Sequence, residues 1–401
     1  MKTFMGYPRP DGSAGARNWV LVLPVQRTAN LVGASIGKLV EGVKVMLSPG
    51  EEGRTKRDRE TIARTFVGLG MNPNVGGILL IAIEKKFSYP ELAHEYFLNE
   101  LRRSGKPVCA VVVAEVGGYY KALGEGVRLA RELVNQVSKV HRQPCDIGKL
   151  TVGTKCGVSD ATSGMVGNPV VGSMADQLIA QGGTYMFSET AEIIGAEHLL
   201  VKRTANPQVA EDLLEAVRVT EEKAKATGED IRKINPIPSN IAAGITTLEE
   251  KSLGAIATAG TPPIQGVLRY GERPPGKGLY FVDAWMSSLS LPLCFAAAGA
   301  QIVLYQAGGG DFPDPYPPMM AATSGIVSPL MFLTGNKHTF RKAQDNMDFD
   351  SSRALGGKVT VKQLGEELLA HIVDVASGTK TKMESLRHED PVELYLEGPT
   401  L

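Results

Sequence analysis

Two stretches of the chain concentrate residues able to do chemistry. "SETAEIIGAEH" (188–198) sets Glu189, Glu192, Glu197 and His198 close together, directly after the apolar run Gly-Gly-Thr-Tyr-Met-Phe. Glu189 and Glu192 are three positions apart and share a face if a helix begins at Thr190. Acidic residues there also suit the helix dipole, so a solvated first turn is one reading. The other is a metal or acid–base site, since carboxylate and imidazole donors suit divalent iron, manganese or magnesium. "KCGVSDATSGMVGNP" (155–169) is the second stretch. Lys155 brings charge, Ser159 and Ser163 bring hydroxyls, and Gly157 and Gly164 allow close backbone approach, a set suited to an oxyanion. The plainer reading is a strand–turn in which Ser159 or Asp160 caps the next helix.

Two other stretches carry less. "GGGDFPD" (308–314) lacks the G-x-G-x-x-G spacing, and its prolines stop a helix from following at once, which argues against a dinucleotide loop. "GYPRPDGSAGARN" (6–18) carries Arg9 and Arg17, either able to grip a carboxylate in a two-pronged manner or simply to be solvated.

The elements that must position these groups are legible as continuous apolar runs: 18–25, 76–83, 107–114, 149–155, 183–189, 278–284 and 300–308. Strands covered on both faces have this unbroken hydrophobicity. Charged helical stretches separate several of them, at 88–105, 122–142 and 206–228, the last opened by Pro207 and closed by Gly228. The alternation predicts an α/β fold of two domains with mostly parallel, Rossmann-like sheets. The polar link "HRQPCDIGK" (141–149) divides the chain into 1–145 and 146–401, the second part carrying most of the site. Ligands of parallel sheets bind beyond the carboxyl ends of the strands. The loops at 155–169, 188–198, 285–292 and 307–315 are therefore expected to converge on one cleft.

Bulk composition narrows the partners. The 401 residues carry 43 basic and 43 acidic side chains, so there is no basic excess to attract nucleic acid. No apolar run reaches the roughly 20 residues needed to span a bilayer, and the N-terminus has no signal-like apolar core. The four cysteines, Cys109, Cys145, Cys156 and Cys294, form no CxxC pair, which fits a reducing cytoplasm.

Over nearly its whole length the chain resembles the altronate/galactarate dehydratase family. The resemblance rests on "GYPRPDGSAGARN", "GLGMNPNVGGILLIAIE" (68–84), "KCGVSDATSGMVGNP", "SETAEIIGAEHLL" (188–200), "TTLEEKSLGAIATAGTPPI" (246–264) and "NMDFDSSR" (346–353), in that order. It implies a metal-dependent hydro-lyase that dehydrates a sugar acid or other hydroxy acid to a 2-keto-3-deoxy acid. The divalent metal is expected to be Fe2+, with Mg2+ or Mn2+ as alternatives. A related branch resembles the large subunit of sulfolactate sulfo-lyase, which expels sulfite, and a reading of another class is a non-catalytic assembly or binding subunit. Both reactions need a base for an α-proton, a cationic clamp for enolate charge, and help for the leaving group.

The resemblance implies Cys156, Glu189 and His198 as metal ligands. Lys155 and Arg17 form the substrate clamp, with Asn18, Ser163 and Asn168 as further substrate contacts. Glu192, Glu197 or Asp160 supplies the base. Three departures stand out. The first motif begins at Gly6, without the small SAF-type (β-clip) domain of longer relatives, which implies a separate small SAF subunit as partner besides a homodimer or higher oligomer. Residues 82–84 read Ala-Ile-Glu where many relatives have Gly-Cys-Glu, and the loops at 285–292 and 307–315 differ from those of sugar-acid dehydratases.

Overall fold

The computed structural model describes residues 2–309, 325–386 and 393–399. The loop expected at 307–315 falls largely outside the described residues, as does the proline stretch 312–318. A small antiparallel sheet joins β1 (Thr3–Pro8) to β2 (Ala14–Gly15) and, on its other side, to β7 (Gln143–Asp146). Between them in sequence lie β3 (Trp19–Pro24), β4 (Val43–Val45), β5 (Val75–Ala82) and β6 (Val108–Val112). These form a parallel sheet in the order β4-β3-β5-β6.

The larger sheet contains β8 (Thr151–Gly157), β9 (Thr184–Ser188), β10 (Ile264–Arg269), β11 (Gly278–Asp283), β12 (Ile302–Ala307), β13 (Leu330–Thr334) and β14 (Phe349–Asp350). All neighbours run parallel, in the order β10-β11-β9-β8-β12-β13-β14. All seven strands expected from apolar runs are present, and the α/β class with it. β8 is the point where the winding reverses: the chain first builds outward through β9, then returns to β8's other edge with β12. Such switch points open a crevice at the carboxyl ends of the strands. The loops after β8 and β9 meet there.

Helices cover both faces. Asn168–Ala180 and Val361–Ala376 bury Val170, Met174, Leu364, Leu368 and Ile372 against one side of the larger sheet, while the wholly buried helix Ser290–Ala297 packs on the other. That helix also joins a core containing Leu21, Phe66, Leu69 and Leu80, so the two parallel sheets share packing. Pro207–Ala226 begins as expected, with Asn206 accepting from the Val209 amide and Pro207 at the first helical position. The helix expected from residue 88 begins later, at His94, because Pro90–Leu92 forms a tighter turn and Ala93 is extended.

No helix among the described residues is long and apolar enough to cross a membrane.

Candidate active site

Strand β8 runs through Lys155 and Cys156 to Gly157, so these residues belong to the sheet and not to the loop beyond it. Val158 follows with φ 49°, and Glu189, just past β9, has φ 79°. Among the described residues these are the two non-glycine positions with positive φ. For a β-branched valine that region is a genuine outlier. Such strain costs on the order of 1–3 kcal/mol per residue and gathers at functional sites.

The turn at Glu189 brings its carboxylate back to β8. Glu189 Oε2 accepts from the Cys156 amide at 3.0 Å, and Oε1 lies 3.4 Å from Lys155 Nζ. Lys155 also donates to the Cys156 carbonyl, and its ammonium sits 5.0 Å from the ring centroid of Tyr305, its register partner on β12. Gly157 is required here, because a Cβ would lie 2.5 Å from Tyr305 Oη and 2.7 Å from Lys155 Nζ.

A second pair lies beside the first. Residues Thr190–Glu192 form a single tight turn, ended before Gly195, where φ is 89°. Glu192 Oε1 lies 2.9 Å from Lys251 Nζ, which also donates to Asn235 Oδ1 at 2.8 Å and Asn240 Oδ1 at 3.2 Å. Asn240 donates in turn to the Ser159 carbonyl at 2.8 Å, tying this pair to the loop after β8. All four charged side chains are buried: Lys155 is 3% exposed, Glu189 and Glu192 2%, and Lys251 6%. Yet Glu189 Oε1 and Glu192 Oε2 accept no hydrogen bond. Unsatisfied carboxylate oxygens at this depth are costly and call for an explanation.

Burial, reinforced by the Glu192 carboxylate and opposed by Lys155, pushes the Glu189 carboxyl up to about 8. Burial alone would discharge Lys155, but Glu189, Tyr305 and Glu192 outweigh it and hold the ammonium above its ordinary range. Burial and the two glutamates push the Cys156 thiol up to about 12. The arrangement is thus a pair of neighbouring carboxyl groups, one inclined to keep a proton, flanked by two ammonium groups.

Comparison with known proteins places this geometry. Residues 147–396 match the family model D-galactarate/altronate dehydratase, C-terminal, and residues 6–138 match D-galactarate dehydratase/altronate hydrolase, second domain. The chain belongs to this dehydratase family. Among its relatives is (2R)-sulfolactate sulfo-lyase subunit beta of Chromohalobacter salexigens, 32% identical over 97% of this chain and 96% of that protein. Altronate dehydratase of Bacillus subtilis is 28% identical over the whole chain and 79% of its own length. Altronate dehydratase of Escherichia coli is 30% identical over 94% of this chain and 74% of its own length. The named relatives are lyases.

Within this dehydratase-family chain, the structure brings together Lys155, Cys156, Glu189 and Glu192, and gives several of the other expected site residues partners of their own. Asp160 is spent on its own loop: Thr162 Oγ1, the Ser163 amide and Asn336 Nδ2 donate to it at 2.6, 3.1 and 2.8 Å. This is the capping role, and Ser163 completes it by accepting from the Asp160 amide at 3.2 Å. Asn168 donates to the Gly254 carbonyl at 2.9 Å, which anchors the Lys251 helix (Leu248–Ala255) where Gly164 and Gly254 touch. Glu197 is half-buried at the start of the helix Glu197–Val201, and His198 is exposed on it.

Arg17 does not reach the site. Its guanidinium is bound to Glu384 at 2.7 and 2.6 Å and to the carbonyls of Ala16, Val375 and Thr379, which leaves no donor for a substrate. Asn18 bridges Arg9 and the Val137 carbonyl at 2.8 Å each. The buried cation paired with Glu192 is Lys251, which the sequence reading missed. It lies in a Glu-Glu-Lys run indistinguishable by composition from a solvated helix face, although within one of the motifs that carry the family resemblance.

The expected metal set is not assembled. Among the described residues no three His, Cys, Asp or Glu side chains are grouped to hold a metal ion. Lys155 and Lys251 already stand as cations beside the two carboxylates. Among the described residues, Lys155, Cys156, Glu189, Glu192 and Lys251 do not form a donor set that fits a divalent metal.

Proposed function

We propose that the protein catalyses β-elimination from a small hydroxylated acid. The observation that carries this reading is the pair of buried lysine–carboxylate contacts at the sheet's switch point, with Glu192 Oε2 left without a partner. The substrate carboxylate takes the place between Lys155 and Lys251. Enolate charge then develops against two ammonium groups in a water-poor setting, where such stabilisation is strongest. Glu192, ion-paired with Lys251, takes the α-proton through its free oxygen. The electron pair of that C–H bond becomes the new double bond as the β-substituent leaves, and the enol product tautomerises to a 2-keto acid. Glu189, inclined to hold a proton, gives it to a departing hydroxyl, which leaves as water.

A second reading changes only the leaving group. Sulfite departs as an anion and needs no proton from Glu189. The near end-to-end match to a sulfolactate sulfo-lyase subunit favours it, since the dehydratase relatives extend well beyond the region this chain matches. That relative's designation as a subunit also supports a partner subunit for this chain.

The test is to co-express the chain with a small SAF-type subunit and assay altronate, galactarate and sulfolactate for 2-keto acid and sulfite. Glu192→Gln should lower turnover of any active substrate about 10²–10⁴-fold, the usual worth of a general base. Turnover by that variant near the wild-type rate would overturn the assignment. Glu189→Gln separates the leaving groups, because it should suppress water loss strongly and sulfite loss little.

A further inference from the structure

A cavity of about 120 Å³ opens beside the turn that carries Glu189 and Glu192, with Thr190 and Ala191 in its wall. Its cations come from three elements: Arg57 and Arg64 from the helix Lys56–Met71, Lys223 from the last turn of Pro207–Ala226, and Arg269 from the end of β10. Their partners are unequal. Arg269 is paired with Glu272 at 3.0 Å. Arg64 donates to the Tyr270 carbonyl at 2.7 Å and to Thr61, and among the described residues it has no carboxylate partner. Arg57 and Lys223 converge on one group, the carboxylate of Glu397, at 3.2 and 2.8 Å.

Glu397 belongs to the segment 393–399, which crosses the cavity's rim. Its amide and that of Gly398 donate to Asp58 at 2.8 and 2.9 Å, and Tyr395 packs against Trp285 with centroids 5.0 Å apart. Asp58 is thereby occupied, and Asp283 accepts from Thr190 at 2.7 Å. Lifting Glu397 away frees Arg57 and Lys223 from their ion pair beside Arg64 and also frees Asp58 from the two amides, so an incoming acid meets three cations in a wall that holds Asp58, Glu60 and Asp283 as well. The side chains of Arg57, Lys223 and Glu397 are 68%, 34% and 29% exposed, so the exchange takes place near the surface, while Leu394 and Leu396 of the same segment pack against the core.

We propose that this cavity is a binding site for a small organic anion, a carboxylate or sulfonate held by Arg57, Lys223 and Arg64, and that Glu397 is its built-in placeholder. An incoming acid competes with the chain's own carboxylate, so its affinity is reduced by the fraction of molecules in which the segment is seated. The inference stands apart from the reaction proposed above, because it needs only the cations, the cavity and the displaceable carboxylate.

The probe is succinate, with succinamide as the uncharged control, titrated calorimetrically into the full chain. Glu397→Gln should bind succinate at least tenfold more tightly than wild type, and the double variant Arg57→Met/Lys223→Met should bind none. Saturating succinate should also speed hydrogen exchange at the Glu397 and Gly398 amides. Equal affinity in wild type and Glu397→Gln, or binding that survives the double variant, would overturn the proposal. In the active assembly, competitive inhibition by succinate identifies the anion as the substrate's own second acid group, and non-competitive inhibition identifies a separate effector acid.

Discussion

Two buried charge clusters in this molecule look alike in kind and differ in completeness. Around Arg17, all five N–H donors of the guanidinium are used, and Glu384 receives both prongs together with the Thr381 amide at 2.9 Å. Around Lys155 and Lys251, each lysine meets a glutamate, but Glu192 keeps one bare oxygen, Glu189 Oε1 has only a long ion pair at 3.4 Å, and the backbone at Val158 and Glu189 is strained. A saturated cluster has nothing to offer a ligand and serves the fold. An unsaturated one, kept so against its own cost, is a place for substrate atoms to complete. Burial and charge alone do not tell the two apart. The inventory of unpaired atoms does.

Substitutions sharpen that contrast. The largest effect is expected at Glu192→Gln, with turnover per folded molecule down about 10²–10⁴-fold, a larger loss than the stability cost of leaving buried Lys251 with Asn235 and Asn240 alone. Equal damage to stability and turnover would make the second cluster structural after all. Arg17→Met should do the reverse, costing about 3–5 kcal/mol in chemical denaturation by stranding Glu384, while turnover per folded molecule holds. Val158→Gly comes next: relief of its left-handed φ should offset part of glycine's entropic cost, for a net change within about 1 kcal/mol, while turnover falls several-fold as the loop after β8 loosens. His198→Ala, at an exposed position, should leave turnover within about twofold of wild type. A collapse of activity there would restore the histidine to the site.

Acidity gives an independent check. The Glu189 carboxyl is raised by burial and by Glu192, so the folded protein binds its proton more tightly than the unfolded chain does. Its contribution to stability is therefore complete below the ordinary carboxyl range and is lost as pH rises toward about 8. The stability difference between wild type and Glu189→Gln should drift against wild type over that window. A flat difference would mean that Glu189 is ionised throughout and cannot act as the acid.

Much of this was legible before any coordinates. Seven buried strands announced themselves as unbroken apolar runs, and the rule that parallel sheets bind ligands at their carboxyl ends pointed to Lys155, Cys156, Glu189 and Glu192. β10 was not legible because its exposed Gln265 and Arg269 break the run, and β14 is too short at two residues to leave a pattern. Leu330–Thr334 meets the apolar criterion but is only five residues long and follows a proline. The misassigned residues share one cause. Arg17 and Asp160 have the right chemistry, but their partners, Glu384 and Asn336, lie 367 and 176 positions away in the chain. Local sequence shows what a side chain offers, and only the fold shows what has already accepted it.

The side chains of Asn72 and Asn74 join the two parallel sheets. Asn72 Nδ2 donates to the carbonyls of Ala296 and Ala300 at 2.7 and 2.8 Å, and Asn74 Nδ2 to those of Gln301 and Val327 at 2.8 and 2.9 Å. These amides rivet the first parallel sheet to the second through main chain, where no change of side chain on the far partner can compensate their loss. Replacing either asparagine with alanine would therefore take a donor from two buried carbonyls at once and loosen one parallel sheet from the other.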